Sequence, residues 1–127
     1  MASTITSVYT RTSTDNDFPN ISDHNSTFDT WRRQYFTDNG VDIAFSLSSD
    51  QLTLTVVIEH DTDASFQDYK TARNAHAEYD ASAFDTWLTN ATSGDISLTV
   101  TWVNDAGASS QLWPEQLGKT VLWTIDI

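Results

Sequence analysis

The side chains able to exchange a proton near neutral pH are three histidines, and each sits in a different setting. His24 lies in the polar run Ser22-Asp23-His24-Asn25, just ahead of a helix signal. His60 closes a strand-like stretch in Glu59-His60-Asp61-Thr62-Asp63, and His76 falls on a helical stripe with Phe66 and Tyr69. None stands in a His-Glu-x-x-His spacing, and the four glycines form no Gly-x-Ser-x-Gly elbow. Each histidine therefore reads first as a packed or solvated side chain. No catalytic residue is assigned, and an enzyme ranks last among the functions considered.

Two oxygen-rich stretches invite a cation. Glu59, Asp61 and Asp63 alternate like the first half of an EF-hand loop, but the glycine at the sixth position and the glutamate at the twelfth are missing. Helix capping explains Asp61 and Asp63 better, because a helix amino-terminus favours a side-chain acceptor and negative charge. Asp15-Asn16-Asp17 with Asp23 is a similar loop and is not taken as a site. No metal and no cofactor is expected. Arg32-Arg33 is the one paired cation, read as an exposed helix pair before an anion or inter-subunit contact. The three Asn-x-Ser/Thr words, at Asn20, Asn25 and Asn90, read as turn chemistry.

The elements that hold these residues follow from periodicity. Val41, Ile43, Phe45 and Leu47 alternate with polar or small residues, Ser49-Asp50 supplies a turn, and Leu52, Leu54, Val56 and Ile58 resume the alternation. That is a β-hairpin, with Thr53, Thr55 and Glu59 on its wet face. Ile96, Leu98, Val100 and Trp102 make another strand row, and Val121, Trp123, Ile125 and Ile127 a further one. Thr4 to Thr12 alternates poorly and reads as an edge strand or an arm, so residues 1–25 are expected to form an extended arm or edge strand and a loop. Three helices are expected. One runs from a cap at Ser26 or Thr27 to about Asp38, one starts at Thr62 or Asp63, and a short one starts at Asp80 or Ser82 and closes near Gly94.

The resulting order, β-α-β-β-α-α-β-β, predicts an α+β single domain over residues 1–127. A largely antiparallel sheet of about five strands carries two or three helices on one face. Dropping the last strand and merging the last two helices gives the ferredoxin-like order. The word Phe-Asp-Thr-Trp occurs at residues 28–31 and again at 84–87, each time on an expected helix. Internal duplication and chance both explain it, and in either case the rings are core residues first.

Composition narrows the partners. Eighteen carboxylates, fifteen of them aspartates, face six lysines and arginines, for a formal net charge of −12 on 127 residues. Such a surface repels phosphate backbones and anionic lipid, so neither nucleic acid nor membrane is an expected partner. With no cysteine there is no disulfide, no thiolate chemistry and no cysteine-ligated zinc. No apolar run approaches the roughly 20 residues of a membrane span. The opening Met1-Ala2-Ser3-Thr4-Ile5-Thr6 has no basic or apolar signal region, which predicts no secretory signal. Apolar residues are 39% of the chain, and five tryptophans, six phenylalanines and four tyrosines supply much of the core volume.

Loop aromatics carry the binding signal. Phe18-Pro19 and Leu112-Trp113-Pro114 lie in the two long polar connections, where an apolar ring either folds over the core or meets a partner. Phe18, Leu112 and Trp113 are the candidate interface residues. The opening Tyr9-Thr10-Arg11-Thr12-Ser13-Thr14-Asp15-Asn16-Asp17-Phe18-Pro19 resembles that of small proteins encoded by tailed phages, marine ones especially. The hairpin Phe45-Ser46-Leu47-Ser48-Ser49-Asp50-Gln51-Leu52-Thr53-Leu54-Thr55-Val56, followed by a helix with Phe66 and Tyr69, resembles them too. The resemblance covers about half of the chain and transfers no functional residue. It implies a virion component, such as a tail, neck or capsid accessory protein, that is made in the host cytoplasm and contacts copies of itself or other virion proteins. Two other classes compete: a carbohydrate-binding module stacking sugars on tryptophan, and an acidic inhibitor that mimics DNA.

Overall fold

The computed structural model describes residues 2–92 and 94–111. The elements run β1 (Ser3–Arg11), α1 (Ile21–His24), α2 (Ser26–Asp38), β2 (Asp42–Leu47), β3 (Thr53–His60), α3 (Asp63–Asn74), α4 (Ala81–Ala91), β4 (Ile96–Val103) and β5 (Ser109–Gln111). This is an α+β protein. Four strands of six to nine residues form an antiparallel sheet, and the three-residue β5 extends it at one edge, giving the order β2-β3-β1-β4-β5. The expected fifth full strand, at Val121 to Ile127, lies outside the described residues. The order β2-β3-β1-β4 with every pair antiparallel is the ferredoxin-like split arrangement.

One expectation is overturned at β1. It is neither an arm nor an edge strand but the central strand, paired with β3 on one side and β4 on the other. Its alternation is hidden because two of the four inward positions are small and polar. Ser3, Ile5, Ser7 and Tyr9 are all buried, while Thr4, Thr6, Val8 and Thr10 face the other way and are not. A serine fits there because its hydroxyl can be satisfied: Trp102 Nε1 donates to Ser3 Oγ at 2.9 Å.

The register sets all the buried strand residues on one face. Ile5 lies opposite both Ile58 and Trp102, and Ser7 lies between Val56 and Val100. Phe28, Phe36, Phe66, Tyr69, Phe84 and Leu88 from the helices join these residues in one core cluster. The two Phe-Asp-Thr-Trp words meet there, with the Phe28 and Phe84 rings 5.0 Å apart.

Local signals explain where each helix begins. Asn25 Oδ1 accepts from Phe28 N at 3.0 Å and opens α2, one residue before the expected cap. Thr62 Oγ1 accepts from Ser65 N at 3.1 Å to open α3, and Asp80 Oδ1 accepts from Ala83 N at 3.1 Å to open α4. The short α1, not anticipated, is capped by Asn20. Gly40, at φ +66°, ends α2 in a left-handed turn that lets Val41 N donate to Phe36 O at 2.9 Å. Asn20 and Asn25 are thus turn and cap residues, as their local sequence suggests.

Candidate functional site

One histidine is buried in the core and the other two pack on aromatic rings at intermediate exposure. His60 is fully buried and packs on Phe66 at 5.1 Å, on Phe36 and Tyr69 at 6.1 Å each, and its Nδ1 lies 3.4 Å from Ser65 Oγ. Burial pushes its pKa down to about 4, against a smaller upward pull from Asp61, so the ring is neutral at physiological pH. His24 packs on Phe84 at 4.6 Å and Trp87 at 5.1 Å, and burial lowers its pKa as well. His76 lies 4.7 Å from the Trp31 ring, and its Nδ1 accepts from Glu78 N at 3.1 Å. All three work as packing groups.

Each oxygen-rich stretch is tied to a distant loop by a hydrogen bond to a carboxylate. Asp63 N donates to Asp105 Oδ2 at 2.8 Å, and Asp105 N donates back to Asp63 Oδ1 at 2.9 Å, which clips the start of α3 to the loop after β4. Asn16 Nδ2 donates to Asp95 Oδ2 at 2.9 Å across the other loop. Among the described residues no group of three or more His, Asp or Glu is placed to hold a metal ion. Arg32 and Arg33 are not an exposed pair. Arg32 is buried 3.5 Å from Asp29, whereas Arg33, half-exposed, donates from Nε to Asp29 Oδ2 at 2.9 Å.

The candidate site is instead an apolar surface at the β2 edge of the sheet. β2 pairs only with β3, so one side of its backbone has no strand beside it among the described residues. Its row Ile43, Phe45, Leu47 points to the helix side, opposite Ile58, Val56 and Leu54. Ile43 is half-buried, but Phe45 and Leu47 are 54% and 51% exposed, the large apolar side chains left open among the described residues. Beside Phe45 opens a cavity of about 250 Å³. Sheet residues Tyr9, Val56 and Ile58 line it together with Phe18, Trp87 and Leu88, and α2 adds Arg32 and Arg33.

Of the residues expected at an interface, Phe18 lies here. It is half-buried against the core, 6.4 Å from the Tyr9 ring and 4.2 Å below the Arg11 guanidinium. It thus serves as part lid and part cavity wall. Leu112 and Trp113 lie outside the described residues. Sequence reading missed Phe45 and Leu47, because alternation identifies a strand face without saying whether a helix covers it. The available signal was the strand itself: Asp42–Leu47 has no lysine or proline, the usual protection of an exposed edge.

No family model, curated protein or solved structure matches this chain. No helix of the described residues is long and apolar enough to cross a membrane.

Proposed function

We propose that this protein is a non-enzymatic structural or assembly component that works through protein–protein contacts, and that it belongs to a tailed-phage particle as a tail, neck or capsid accessory protein. The observation that carries the contact reading is the β2 edge, unpaired among the described residues, with Phe45 and Leu47 exposed and Phe45 beside a cavity lined mainly by apolar side chains together with Arg32 and Arg33. Open backbone groups give a partner strand its hydrogen bonds, and the neighbouring apolar row gives it affinity. The particle reading rests on the resemblance of residues 9–19 and 45–56 to small phage proteins. Copies of this chain and other virion proteins are the proposed partners.

The net charge of −12 supports the exclusion of nucleic acid and also sets a condition on assembly. Like-charged copies repel until salt screens them, over about 10 Å at 0.1 M and less in seawater. The glycan reading is weakened among the described residues, because Trp31, Trp87 and Trp102 are partly buried against the core. The test is light scattering coupled to size exclusion, at low salt and at seawater ionic strength. A ring, trimer or growing polymer in the salty buffer is the expected result. A strict monomer in both buffers overturns self-assembly.

A further inference from the structure

The apolar pattern of β2 reads the same from either end. We infer that its open edge pairs with β2 of a second copy, antiparallel and across a two-fold axis at Phe45, which joins two sheets into one. This rests on the assembly reading above and names both the partner and the register.

The phase of the ladder shows which backbone groups are on offer. Ser48 N donates to Thr53 O at 2.9 Å, and on the other side of β3 Arg11 N donates to Leu52 O at 2.9 Å. Bonding alternates along an antiparallel pair, so both bonds turn the backbone groups of Asp42, Ala44 and Ser46 toward β3. Ile43, Phe45 and Leu47 turn theirs outward, where no strand of the described residues meets them. Five of the six β2 residues are exposed, so the described residues leave this edge open to approach.

Around Phe45 the strand complements itself. With Phe45 opposite Phe45 of the second copy, Ile43 falls opposite Leu47 and Leu47 opposite Ile43. These three pairs close about six backbone hydrogen bonds, two per pair, and match apolar to apolar throughout. The axis runs through the sheet, so both helix layers share one side and the exposed Phe45 and Leu47 of each copy cover the other's row. On the opposite face Ala44 meets Ser46, both small, and Asp42 meets Ser48. The two Asp42 carboxylates, the only charge each strand carries, are then about 20 Å apart, twice the screening length at about 0.1 M salt.

Neighbouring registers fit less well. An axis at Ala44 pairs Leu47 with Val41, whose N–H already donates to Phe36 O at 2.9 Å. An axis at Ser46 sets Asp42 directly against Asp50 of the second copy, like charge against like. A foreign strand gains nothing from this internal symmetry, whereas a second copy uses all of it. The contact closes at two copies, so any larger ring or polymer is built from dimers and holds an even number of chains.

The cysteine-free chain makes the register readable. Ala44 and Ser46 are exposed, and across this axis their Cα atoms lie about 4.5 Å apart, within disulfide reach. Full-length chains carrying Ala44→Cys or Ser46→Cys are oxidised mildly at seawater ionic strength, each alone and the two mixed. The expected result is a disulfide-linked dimer that forms at least tenfold faster in the mixture than in either variant alone. In the unmodified protein the amides of Ile43, Phe45 and Leu47 should exchange at least tenfold more slowly as concentration drives dimerisation. A bond that forms as fast in one variant alone overturns the axis at Phe45. Oligomers by light scattering with no bond in the mixture overturn this inference but not the assembly reading. Slow exchange of the three amides already in dilute monomer overturns it too, because the edge is then filled within one chain. A monomer at every salt and protein concentration overturns it together with self-assembly.

Discussion

The two ends of the helix-facing side of this sheet are finished in opposite ways. At the end holding Ser3, His60 and Trp102, aromatic rings close the core: Phe36 and Tyr69 are 5.0 Å apart, His60 and Phe66 5.1 Å, and Trp102 meets Phe66 edge-on at 5.8 Å. At the β2 side the same layer stops short, leaving Phe45 and Leu47 half in water, with Phe45 at the wall of a cavity lined mainly by apolar side chains. Hydrophobic residues occur in both places. What differs is cover. α3 follows β3 directly and lays Phe66 and Tyr69 over the first end, whereas β2 lies at the sheet edge. The ring-packed region thus holds part of a core that runs along the sheet, and the β2 edge is the part left open, to which the proposed function assigns contact.

The largest effect should come from the closed end. Phe66→Ala removes a ring that is 1% exposed and should cost about 3–5 kcal/mol, read as a urea midpoint shift. A loss under about 1 kcal/mol would break the contrast, because it would mean that this end tolerates a cavity. Next comes acid. With its folded pKa near 4, His60 stays neutral while the unfolded chain takes up a proton below the ordinary value of 6.5. Its contribution is constant above that value and falls between 6.5 and 4, by about 3 kcal/mol in all. Stability against pH, compared with His60→Leu, should show the steeper slope in the native protein. Equal slopes would remove His60 from the account.

A smaller effect belongs to the helix start between the two ends. Asn25→Ala deletes the acceptor for Phe28 N and should cost about 1 kcal/mol, with the fold and the state of assembly kept. The smallest effect on stability is expected at the open side, and there it separates from function. Phe45→Ser should change the urea midpoint by no more than about 0.5 kcal/mol, since over half of the ring is already in water. It should still weaken association measured by light scattering. A large stability loss with intact assembly would reverse the roles given to the two regions.

Elements were legible in the sequence, but their neighbours were not. Thr62 and Asp80 open their helices as their types suggest, and the hairpin from Val41 to Ile58 follows its alternation, with the turn near Ser49-Asp50. The centre of the sheet was hidden, because Ser3 and Ser7 occupy inward positions of β1 and mask its period. Ser3 is inward because Trp102, almost a hundred residues later, donates to it, and no local window contains that fact. The same limit applies to the site. Phe18 stood out as a loop aromatic and does line the cavity, but Phe45 looked like any inward hairpin residue. Its exposure depends on which strand ends the sheet, a property of topology and not of the hairpin.

The central claim is that the open β2 edge makes the contacts while the closed end holds the fold. The most direct measurement is light scattering on native protein and on a Phe45→Asp, Leu47→Asp double variant, at seawater ionic strength, with thermal melts of both. The account predicts assembly in the native protein, a monomer in the double variant and melting temperatures within a few degrees of each other. Assembly of the double variant at the native level, with its fold intact, would contradict it.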